Sequence, residues 1–534
     1  MNQLESKNKF SFMIHPILFS VFPIIFIFSE NIHLLPFTEI IFPSLMMIFI
    51  ISFSLFIISK KITNKNKIAL VISLLIILFF SYGHFFNVLN DSLDGSEIVR
   101  HRYILIPFFI IGLVGSIYFV RSNRVFNNAT TISNVIAVSL FVIISINIMT
   151  DFSNGNFFGS PQLSADERFL GVGVSEEDLF QNIFQNYDNE QSSNKIDNKT
   201  LSPDIYYIIL DEYPNDSSLK QFFNFDNSKF IGFLESNNFY VAKNGSSNFP
   251  TTVQSLTSSL NMNYLNKLTI NESPNSKNFQ LLNELLSKNI VMKKLDEKGY
   301  RIFNVGSLWG PNGEFEKTDA NKCEYKEANR DSLVRELLET SMISYFHERY
   351  SEQLRRDRIL CSFEEVKKIN QENVIPDFVF VHMLLPHPPY IFGPNGEHVT
   401  PGNSLSGADW NEREAHIDQV KFANKKLMEL IPELLNSKNK PIIILQGDTG
   451  SGFQLDWENP TKEMIKERLG NLNAVYFPNL NYNHMYETIT PVNTFRIIFN
   501  EYFDDEYELL QDQNFWSQSD KPYQYIDVTN MLND

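Results

Sequence analysis

Long apolar stretches dominate the first 150 residues of the chain. Five of them follow one another with short polar gaps between them, over residues 10–29, 37–59, 68–88, 103–120 and 132–150. Each is close to the length of about 20 residues that a helix needs to cross the hydrocarbon core of a bilayer. The pattern predicts an all-α bundle of five transmembrane helices in residues 1–150. The first stretch alone is also compatible with a signal peptide, although it lacks a clear small-residue cleavage site.

The charges between these stretches predict an orientation. Lysines and arginines precede the first stretch and fill the second and fourth loops, whereas Glu30 is the only charge in the first loop. The third loop mixes both signs. Because positive loops stay on the cytoplasmic side, we expect a multi-pass protein of the cell membrane with a cytoplasmic N-terminus. An odd number of spans then places the rest of the chain outside the cytoplasm.

After residue 150 the pattern changes twice. Residues 151–202 are rich in Asn, Ser, Asp and Gln without periodicity, which predicts a juxtamembrane linker with at most a short helix near 176–187. From residue 203 to residue 534 short apolar runs alternate with amphipathic ones, which predicts an α/β domain with a mostly parallel sheet sandwiched by helices. Its predicted strands are 205–210, 239–242, 301–305, 378–383, 441–445 and 474–477. Its predicted helices include 219–237, 279–298, 413–436, 461–469 and a charged helical insertion over 331–372.

Polar side chains follow three of these predicted strands. Asp211 follows the first strand, His382 and His387 close or follow another, and Asp448 comes soon after 441–445. In such sheets the ligand crevice lies at the carboxyl ends of the strands, so we expect the three groups to meet at one edge. Each aspartate taken alone has a simpler interpretation as a turn or helix-capping residue.

A hydroxyl stands at another predicted junction. The turn residues 244–250 lead into Thr251, Thr252 and an apolar-periodic run, as a loop that opens a helix does. Unpaired backbone N–H groups and the helix dipole at such a position favour anions. Helix capping is the alternative role, and neighbouring Ser and Thr residues leave the chemistry ambiguous.

The segments around these positions resemble a known group of proteins. They read PDIYYIILDEYP (203–214), FVFVHMLLPHPPYIFGPNGE (378–397) and IIILQGDTGSGFQLDWEN (442–459). They are similar to the catalytic domain of membrane-bound members of the alkaline phosphatase and sulfatase superfamily, such as lipoteichoic acid synthase and phosphoethanolamine transferases. The resemblance implies a nucleophile at Thr252 and a divalent metal ion on Asp211, Thr252 and Asp448.

The resemblance also implies roles for the histidines. His382 and His387 match a segment that contacts the phosphoryl oxygens of the substrate or a second metal. Of the two we favour His387 for this contact, because His382 still lies within the predicted strand, where its side chain could face the core. His398 and His416 have weaker claims and are expected at the solvated surface.

One position departs from the family pattern. Relatives have Asp-His-Gly where this chain has Asp448, Thr449 and Gly450, so Thr449 replaces a metal-binding histidine. If Thr449 contributes its hydroxyl, the ligand set is all oxygen, which suits Mg²⁺ or Mn²⁺ better than Zn²⁺. The alternative is a site that has lost its metal. Glu212 stands where relatives usually have glycine, and we interpret it as peripheral.

The charge of the second part of the chain and its two cysteines bear on what it binds and on whether it contains a disulfide. Residues 151–534 hold 35 Lys and Arg against 56 Asp and Glu. So acidic a domain is a poor candidate for nucleic-acid binding. Both cysteines, Cys323 and Cys361, lie in the part expected outside, where a disulfide between them would persist; two free thiols are the alternative.

The resemblance therefore indicates a metal-dependent phosphoryl or phospho-alcohol transferase or hydrolase at the membrane, acting on envelope lipid or glycan substrates. One alternative is a catalytically impaired scaffold protein. Another is a sulfuric ester hydrolase, which is disfavoured because the chain lacks the Cys/Ser-x-Pro-x-Arg context from which formylglycine is made.

Overall fold

The computed structural model describes most of the chain. Its described residues are 13–32, 35–92, 101–154, 202–306, 315–323, 332–369, 375–399, 412–453 and 455–532. The helix expected near 176–187 lies outside them. The contacts divide the chain into two units, one of residues 1–160 with 330–351 and one of residues 161–329 with 352–534.

The first unit contains the apolar helices. They are α1 (His15–Glu30), α2 (Thr38–Ser59), α3 (Lys65–Ser92), α4 (His101–Arg121) and α5 (Asn127–Asn154). In the described residues α2 to α5 are long and apolar enough to cross a membrane, and α1 is a shorter apolar helix. Their outward faces carry many exposed large hydrophobic side chains, which lipid solvates and water does not. The all-α character of this region is confirmed.

The start of the predicted 331–372 insertion packs on these helices. Helix α12 (Ser332–Glu339) places Leu333 in a cluster with Ile24 and Phe28 of α1. The backbone N–H of Gly83 in α3 donates to the carbonyl of Thr340 over 2.9 Å, and a Cβ on Gly83 would lie 2.5 Å from that backbone. Glycine is therefore required for this close approach. Helix α13 (Ser344–Ile369) begins in the first unit and ends in the second.

The second unit is built on a seven-stranded sheet. Its strands in spatial order are β2 (Tyr240–Val241), β7 (Asn473–Tyr476), β6 (Ile442–Gly447), β1 (Ile205–Leu210), β5 (Asp377–Met383), β3 (Arg301–Gly306) and β4 (Ala320–Lys322). The strands from β6 to β4 are parallel, and β7 and β2 are antiparallel to their neighbours. The mostly parallel sheet is confirmed.

Helices cover both faces of the sheet. They are α6 (Asp216–Phe223), α7 (Ser228–Ser236), α8 (Thr252–Leu260), α9 (Leu265–Leu268), α10 (Gln280–Ser287), α11 (Ile290–Glu297), α14 (Arg413–Leu435), α15 (Lys462–Leu469), a 3₁₀ turn (Pro491–Asn493) and α16 (Thr494–Phe503). A small hairpin, β8 (Phe515–Trp516) with β9 (Ile526–Asp527), and α17 (Thr529–Leu532) close the chain.

Burial of the central strand on both sides explains its continuous apolar sequence. All six residues of β1 are buried. Tyr206, Ile208 and Leu210 face a cluster that includes residues of α7 and α14, whereas Ile205 and Tyr207 face a cluster with residues of α8, α11 and α16. A strand covered on both faces carries apolar residues without alternation.

Two predicted helices are broken in the structure. The predicted helix 219–237 is two helices, because Asn224 ends α6 in the left-handed conformation with φ of 50°. The predicted helix 279–298 is divided at Asn289, whose side chain accepts a hydrogen bond from the N–H of Met292 and caps α11. Both breaks occur at asparagines, which tolerate left-handed backbone and cap helices well.

Cys323 and Cys361 form a disulfide, so the pairing expected from sequence is confirmed. The bond joins α13 to the loop after the edge strand β4. The two Cα atoms are 5.8 Å apart. Helix α13 is thereby attached covalently to the rim of the sheet.

Candidate metal centre and active site

Two aspartates from distant parts of the chain meet at the carboxyl end of the sheet. Asp211 follows β1 directly, and Asp448 follows the neighbouring strand β6. Each is 2% exposed or less. The backbone N–H of Glu212, next to Asp211, donates to Oδ1 of Asp448 over 2.9 Å. The two strand ends are therefore held together through a carboxylate and a backbone amide.

A histidine from a third strand completes the cluster. His382 lies in β5, which pairs with β1 on the side opposite β6, and its Nε2 is 3.3 Å from Oδ2 of Asp211. One ligand atom from each of Asp211, His382 and Asp448 lies within 4.8 Å of the other two. This is the distance range in which three side chains can share one metal ion. His382 is buried, but its imidazole contacts Asp211 and does not face the apolar core.

Buried oxygens in the cluster lack hydrogen-bond donors. Oδ1 of Asp211, Oδ2 of Asp448 and Oγ1 of Thr449 are buried without a hydrogen-bond partner. Polar atoms in the interior are nearly always paired, because an unpaired one forfeits its hydration. A divalent cation bound by the carboxylates would satisfy these atoms. The residues present thus fit a metal ion on the chemistry of their donors.

Thr252 begins helix α8 beside this cluster. Thr251 is the N-cap residue, and its side-chain oxygen accepts from the N–H of Gln254. Thr252 is therefore the first helical residue, with an unpaired backbone N–H and the positive end of the helix dipole nearby. Its hydroxyl interacts with the Asp448 carboxylate, and Oγ of Ser255 donates to the Asp448 carbonyl over 2.6 Å. The capping role falls to Thr251, which leaves the Thr252 side chain available for chemistry.

The pKa values of Asp211 and Asp448 are shifted in opposite directions. Burial raises the pKa of Asp448 to about 6, and the negative charge of Asp211 adds to this shift. Burial also acts to raise the pKa of Asp211, but the charges of His387, His382 and Arg468 outweigh it and lower that pKa. Two close carboxylates without a cation cannot both ionise freely. A cation between the two carboxylates would remove their mutual repulsion.

His387 lies on the loop after β5, outside the three-residue cluster. Its backbone N–H donates to the carbonyl of Asp211 over 3.1 Å, and its Nδ1 contacts the carbonyl of Pro388. Burial opposes protonation, but the negative charges of Asp211 and Glu212 raise the pKa of His387 above its usual value. His387 is half-buried, so its charged form can meet a ligand.

Arg468 in α15 connects the three loops that carry the site residues. Its Nε donates to the carbonyl of Pro250, two residues before Thr252, over 2.7 Å, and its Nη1 donates to the carbonyl of Gly450 over 3.2 Å. The same nitrogen forms an ion pair with Glu212. One buried guanidinium thus fixes the turn before α8 and the loops after β1 and β6. Sequence reasoning missed Arg468, because nothing in the pattern of α15 distinguishes it from a surface cation.

Glu212 is not peripheral, and that interpretation is wrong. It has φ of 59°, a left-handed conformation that glycine adopts without strain and other residues adopt rarely. Its backbone binds Asp448 and its carboxylate binds Arg468. Glu212 therefore takes part in positioning the site.

Gly450 is required by close packing. A Cβ at Gly450 would lie 2.2 Å from the carbonyl oxygen of Glu467 and 2.6 Å from that of Gly470. The glycine of the Asp448-Thr449-Gly450 segment therefore allows the loop after β6 to lie against α15, which carries Arg468.

The other two histidines differ from each other. His398 is half exposed, with its Nε2 2.7 Å from Glu352, as a surface histidine would be. His416 is fully buried against the ring of Phe223, so the surface setting expected for it is wrong. Burial lowers the pKa of His416 to about 3, which makes it a neutral core residue.

Comparisons with known proteins give fold similarities at low identity. No protein-family model and no curated protein matches the sequence. The chain is similar to the C-terminal periplasmic domain of EcEptC from Escherichia coli, with a TM-score of 0.41 and 15% identity over 62% of this chain and 94% of that one. It is also similar to the integral membrane protein lipooligosaccharide phosphoethanolamine transferase A from Neisseria meningitidis, with a TM-score of 0.35 and 11% identity over 92% of this chain and 94% of that one.

A third similar structure is the phosphonate monoester hydrolase of Agrobacterium radiobacter. Its TM-score is 0.38 at 10% identity, over 59% of this chain and 80% of that one. The matched structures include phosphoethanolamine transferases and a protein of the alkaline phosphatase superfamily from Vibrio parahaemolyticus.

Proposed function

We propose that this chain is a membrane-anchored, metal-dependent phosphoryl or phospho-alcohol transferase or hydrolase with Thr252 as its nucleophile, acting on envelope lipid or glycan substrates. The observation that carries the proposal is the cluster of Asp211, His382 and Asp448 beside the Thr252 hydroxyl. A hydroxyl next to a metal-binding acid cluster at the edge of a parallel sheet is suited to attack phosphorus.

Asp211, His382 and Asp448 would hold the metal, with Thr252 as a further ligand and the Thr449 hydroxyl as a weak one. Such a cation would lower the pKa of the Thr252 hydroxyl and neutralise charge on the phosphoryl oxygens. An all-oxygen ligand set favours Mg²⁺ or Mn²⁺. Because His382 adds an imidazole to the set, Mn²⁺ or Zn²⁺ is favoured over Mg²⁺ here.

The chain's own residues divide the remaining work. Oγ1 of Thr252 loses its proton to solvent and forms the bond to phosphorus while the bond from phosphorus to the leaving alcohol breaks. Water or an acceptor alcohol then displaces Thr252 from phosphorus, which restores the hydroxyl. Protonated His387, with its raised pKa, is suited to donate a proton to that leaving oxygen. Arg468 and Glu212 hold the three loops in register, so that the nucleophile needs little reorganisation to attack.

The apolar helices are consistent with action at the membrane. Basic residues of the 60–67 and 121–124 loops lie at one end of the bundle, and Asn31 and Gly83, which contact the 332–340 segment, lie at the other. By the positive-inside rule the basic end and the N-terminus are cytoplasmic. The catalytic unit would then meet lipid-linked substrates in the outer leaflet.

The test is to trap the covalent intermediate on the full-length protein in detergent. The protein is incubated with Mn²⁺ and phosphatidylethanolamine, quenched in acid and digested, and the peptide that contains Thr252 is analysed by mass spectrometry. We expect the mass of a phosphoryl or phospho-alcohol group on Thr252. Thr252→Ala abolishes the adduct, and Thr251→Ala, which removes the cap at a cost of about 1 kcal/mol, retains it.

An adduct on another residue, or one that persists in Thr252→Ala, would overturn the assignment of the nucleophile. Absence of both adduct and bound metal in a folded protein would favour the catalytically impaired scaffold. Release of sulfate from an aryl sulfate at a higher rate than phosphate from the matched aryl phosphate would favour the sulfuric ester hydrolase.

A further inference from the structure

The first unit contains a large cavity between its apolar helices. Its volume is about 650 Å³, and it is lined by residues of α1, α3, α4 and α5 together with Thr340. On α3 the lining extends from Leu70 to His84. At 1.5 Å per residue this corresponds to a length of about 21 Å along the helix axis. The cavity is therefore elongated and runs along the bundle.

The two ends of the cavity differ in chemistry. Towards the basic end of the bundle its lining includes the aromatic side chains Phe19 and Phe119. At the opposite end it includes Ser81 and His84, which offer a hydroxyl and an imidazole, and Thr340, whose hydroxyl donates to the carbonyl of Glu336 over 2.8 Å. Ser73, deeper in the cavity, is already hydrogen-bonded to His15 over 2.6 Å, whereas Ser133 is the other polar side chain at depth. An apolar channel with a polar mouth is complementary to an amphiphile.

His84 supports a polar occupant at that mouth. It lies 19 residues, about 28 Å, along α3 from Lys65, close to the far edge of a hydrocarbon core about 30 Å thick. Its side chain is exposed on the bundle. An ionisable side chain at the edge of the hydrocarbon region is costly unless it meets water, a head group or a protein partner. A phosphate group at the mouth would supply such a partner.

We propose that this cavity binds one glycerophospholipid of the outer leaflet, with an acyl chain inside and the phosphate against His84 and Ser81. The length agrees, since a chain that covers half of the hydrocarbon core spans about 15 Å and leaves room for the head group. Surrounding lipid is as apolar as the cavity, so chain burial alone gives no preference. Selective retention comes from the polar mouth. The proposal does not rest on the proposed reaction.

The test is native mass spectrometry of the full-length protein released from detergent, after delipidation and addition of palmitoyl-oleoyl phosphatidylethanolamine. We expect one phospholipid to remain bound per chain. Ile136→Trp, which places a bulky ring in the cavity from α5 and obstructs the path of an acyl chain, removes the bound lipid. Val142→Trp is the matched control, because Val142 lies on the same helix, is 52% exposed against 49% for Ile136, and is not part of the lining. It retains the lipid.

Thermal unfolding of both variants shows whether they fold. Loss of lipid in a folded Ile136→Trp with retention in a folded Val142→Trp supports the cavity as the site. Equal retention in the two folded variants, or no retained lipid in the wild type, overturns it. If Ile136→Trp does not fold, Ile77→Phe on α3 takes its place with the same outcomes.

The polar mouth is tested with a lipid that lacks the phosphate. The wild type should retain phosphatidylethanolamine in preference to diacylglycerol with the same chains. His84→Leu should abolish this preference while keeping the capacity to bind a chain. Equal retention of both lipids by the wild type would overturn the proposed role of the mouth.

Discussion

His382 and Asp211 face each other across adjacent parallel strands, with Nε2 of the histidine 3.3 Å from Oδ2 of the aspartate. The strand register pairs His382 with Ile209, two residues before Asp211. The imidazole therefore reaches the first acid of the cluster from the strand next to it. His382 thus offers an imidazole to the cluster, whereas Thr449, next to Asp448, offers only a hydroxyl.

This relationship predicts different effects for the two histidines of the HMLLPHPPY segment. His382→Ala should weaken Mn²⁺ or Zn²⁺ binding by about a hundredfold or more, since it removes a ligand of the cluster. His387→Ala should leave metal affinity nearly unchanged and lower the turnover rate by about a hundredfold, the effect of losing a general acid. Isothermal titration with metal and steady-state kinetics separate the two. Weaker metal binding in His387→Ala alone would reverse the assignment.

Thr449 gives a complementary prediction. Thr449→His should strengthen metal binding, because an imidazole replaces a neutral hydroxyl beside Asp448. In the background of His382→Ala the same substitution should restore most of the lost affinity. Thr449→Val, which keeps the shape and removes the oxygen, is the control and should restore none. Failure of Thr449→His to bind metal better, in a variant that unfolds at the same temperature as the wild type, would argue that position 449 does not face the cation.

Arg468 and Glu212 are predicted to act as a pair. Arg468→Leu should cost about 3 kcal/mol in the free energy of unfolding, because it leaves the partly buried Glu212 and the carbonyls of Pro250 and Gly450 without their partner. Glu212→Gly loses the same ion pair but relieves a left-handed backbone, which offsets about 1 kcal/mol. Chemical denaturation of the two variants and of the double variant measures their coupling.

Arg468 and Glu212 should affect catalysis by positioning the loops of the site, and not by contact with the metal. Arg468→Leu is expected to lower kcat with little change in metal affinity, since Arg468 binds the carbonyls of Pro250 and Gly450. Arg468→Lys keeps the charge but cannot reach both carbonyls and Glu212 at once, so it should recover stability only in part. Additive effects in the double variant would exclude the proposed coupling.

Asp448 predicts how metal binding depends on pH. In the metal-free protein its pKa is raised to about 6 by burial and by Asp211. Below that value Asp448 carries a proton that the cation must displace, and above it the carboxylate is free to bind. Metal affinity should fall about tenfold per pH unit below 6 and level off above it, as expected for one linked proton. Titrations in two buffers of different ionisation enthalpy count that proton, and pH-independent affinity would contradict the account.

The placement of the site at one edge of the sheet followed from the sequence. The apolar runs that end at Asp211 and near Asp448 indicated buried strands, and parallel strands bring their carboxyl ends to one edge. The order of strands in the sheet does not follow from the sequence, because it depends on which apolar runs pair with one another across long distances along the chain. The position of His382 followed from that order, since it reaches Asp211 only because β5 lies beside β1.

Two other features needed the three-dimensional arrangement. The Arg468 guanidinium acts on loops about 20 and more than 200 residues away in the chain, and no local pattern carries that information. At the beginning of the charged insertion, Leu333 and Thr340 pack on α1 and α3. Its amphipathic pattern indicated an apolar partner without indicating which one.

The claim on which the account depends is that Asp211, His382 and Asp448 share one cation next to Thr252. The most direct measurement is anomalous diffraction from crystals of the full-length protein grown with Mn²⁺, with data collected on both sides of the manganese absorption edge. The account predicts one strong anomalous peak within bonding distance of a carboxylate oxygen of each aspartate, Nε2 of His382 and Oγ1 of Thr252. A fully occupied manganese ion elsewhere in the catalytic unit, with this cluster empty at saturating metal, would contradict it.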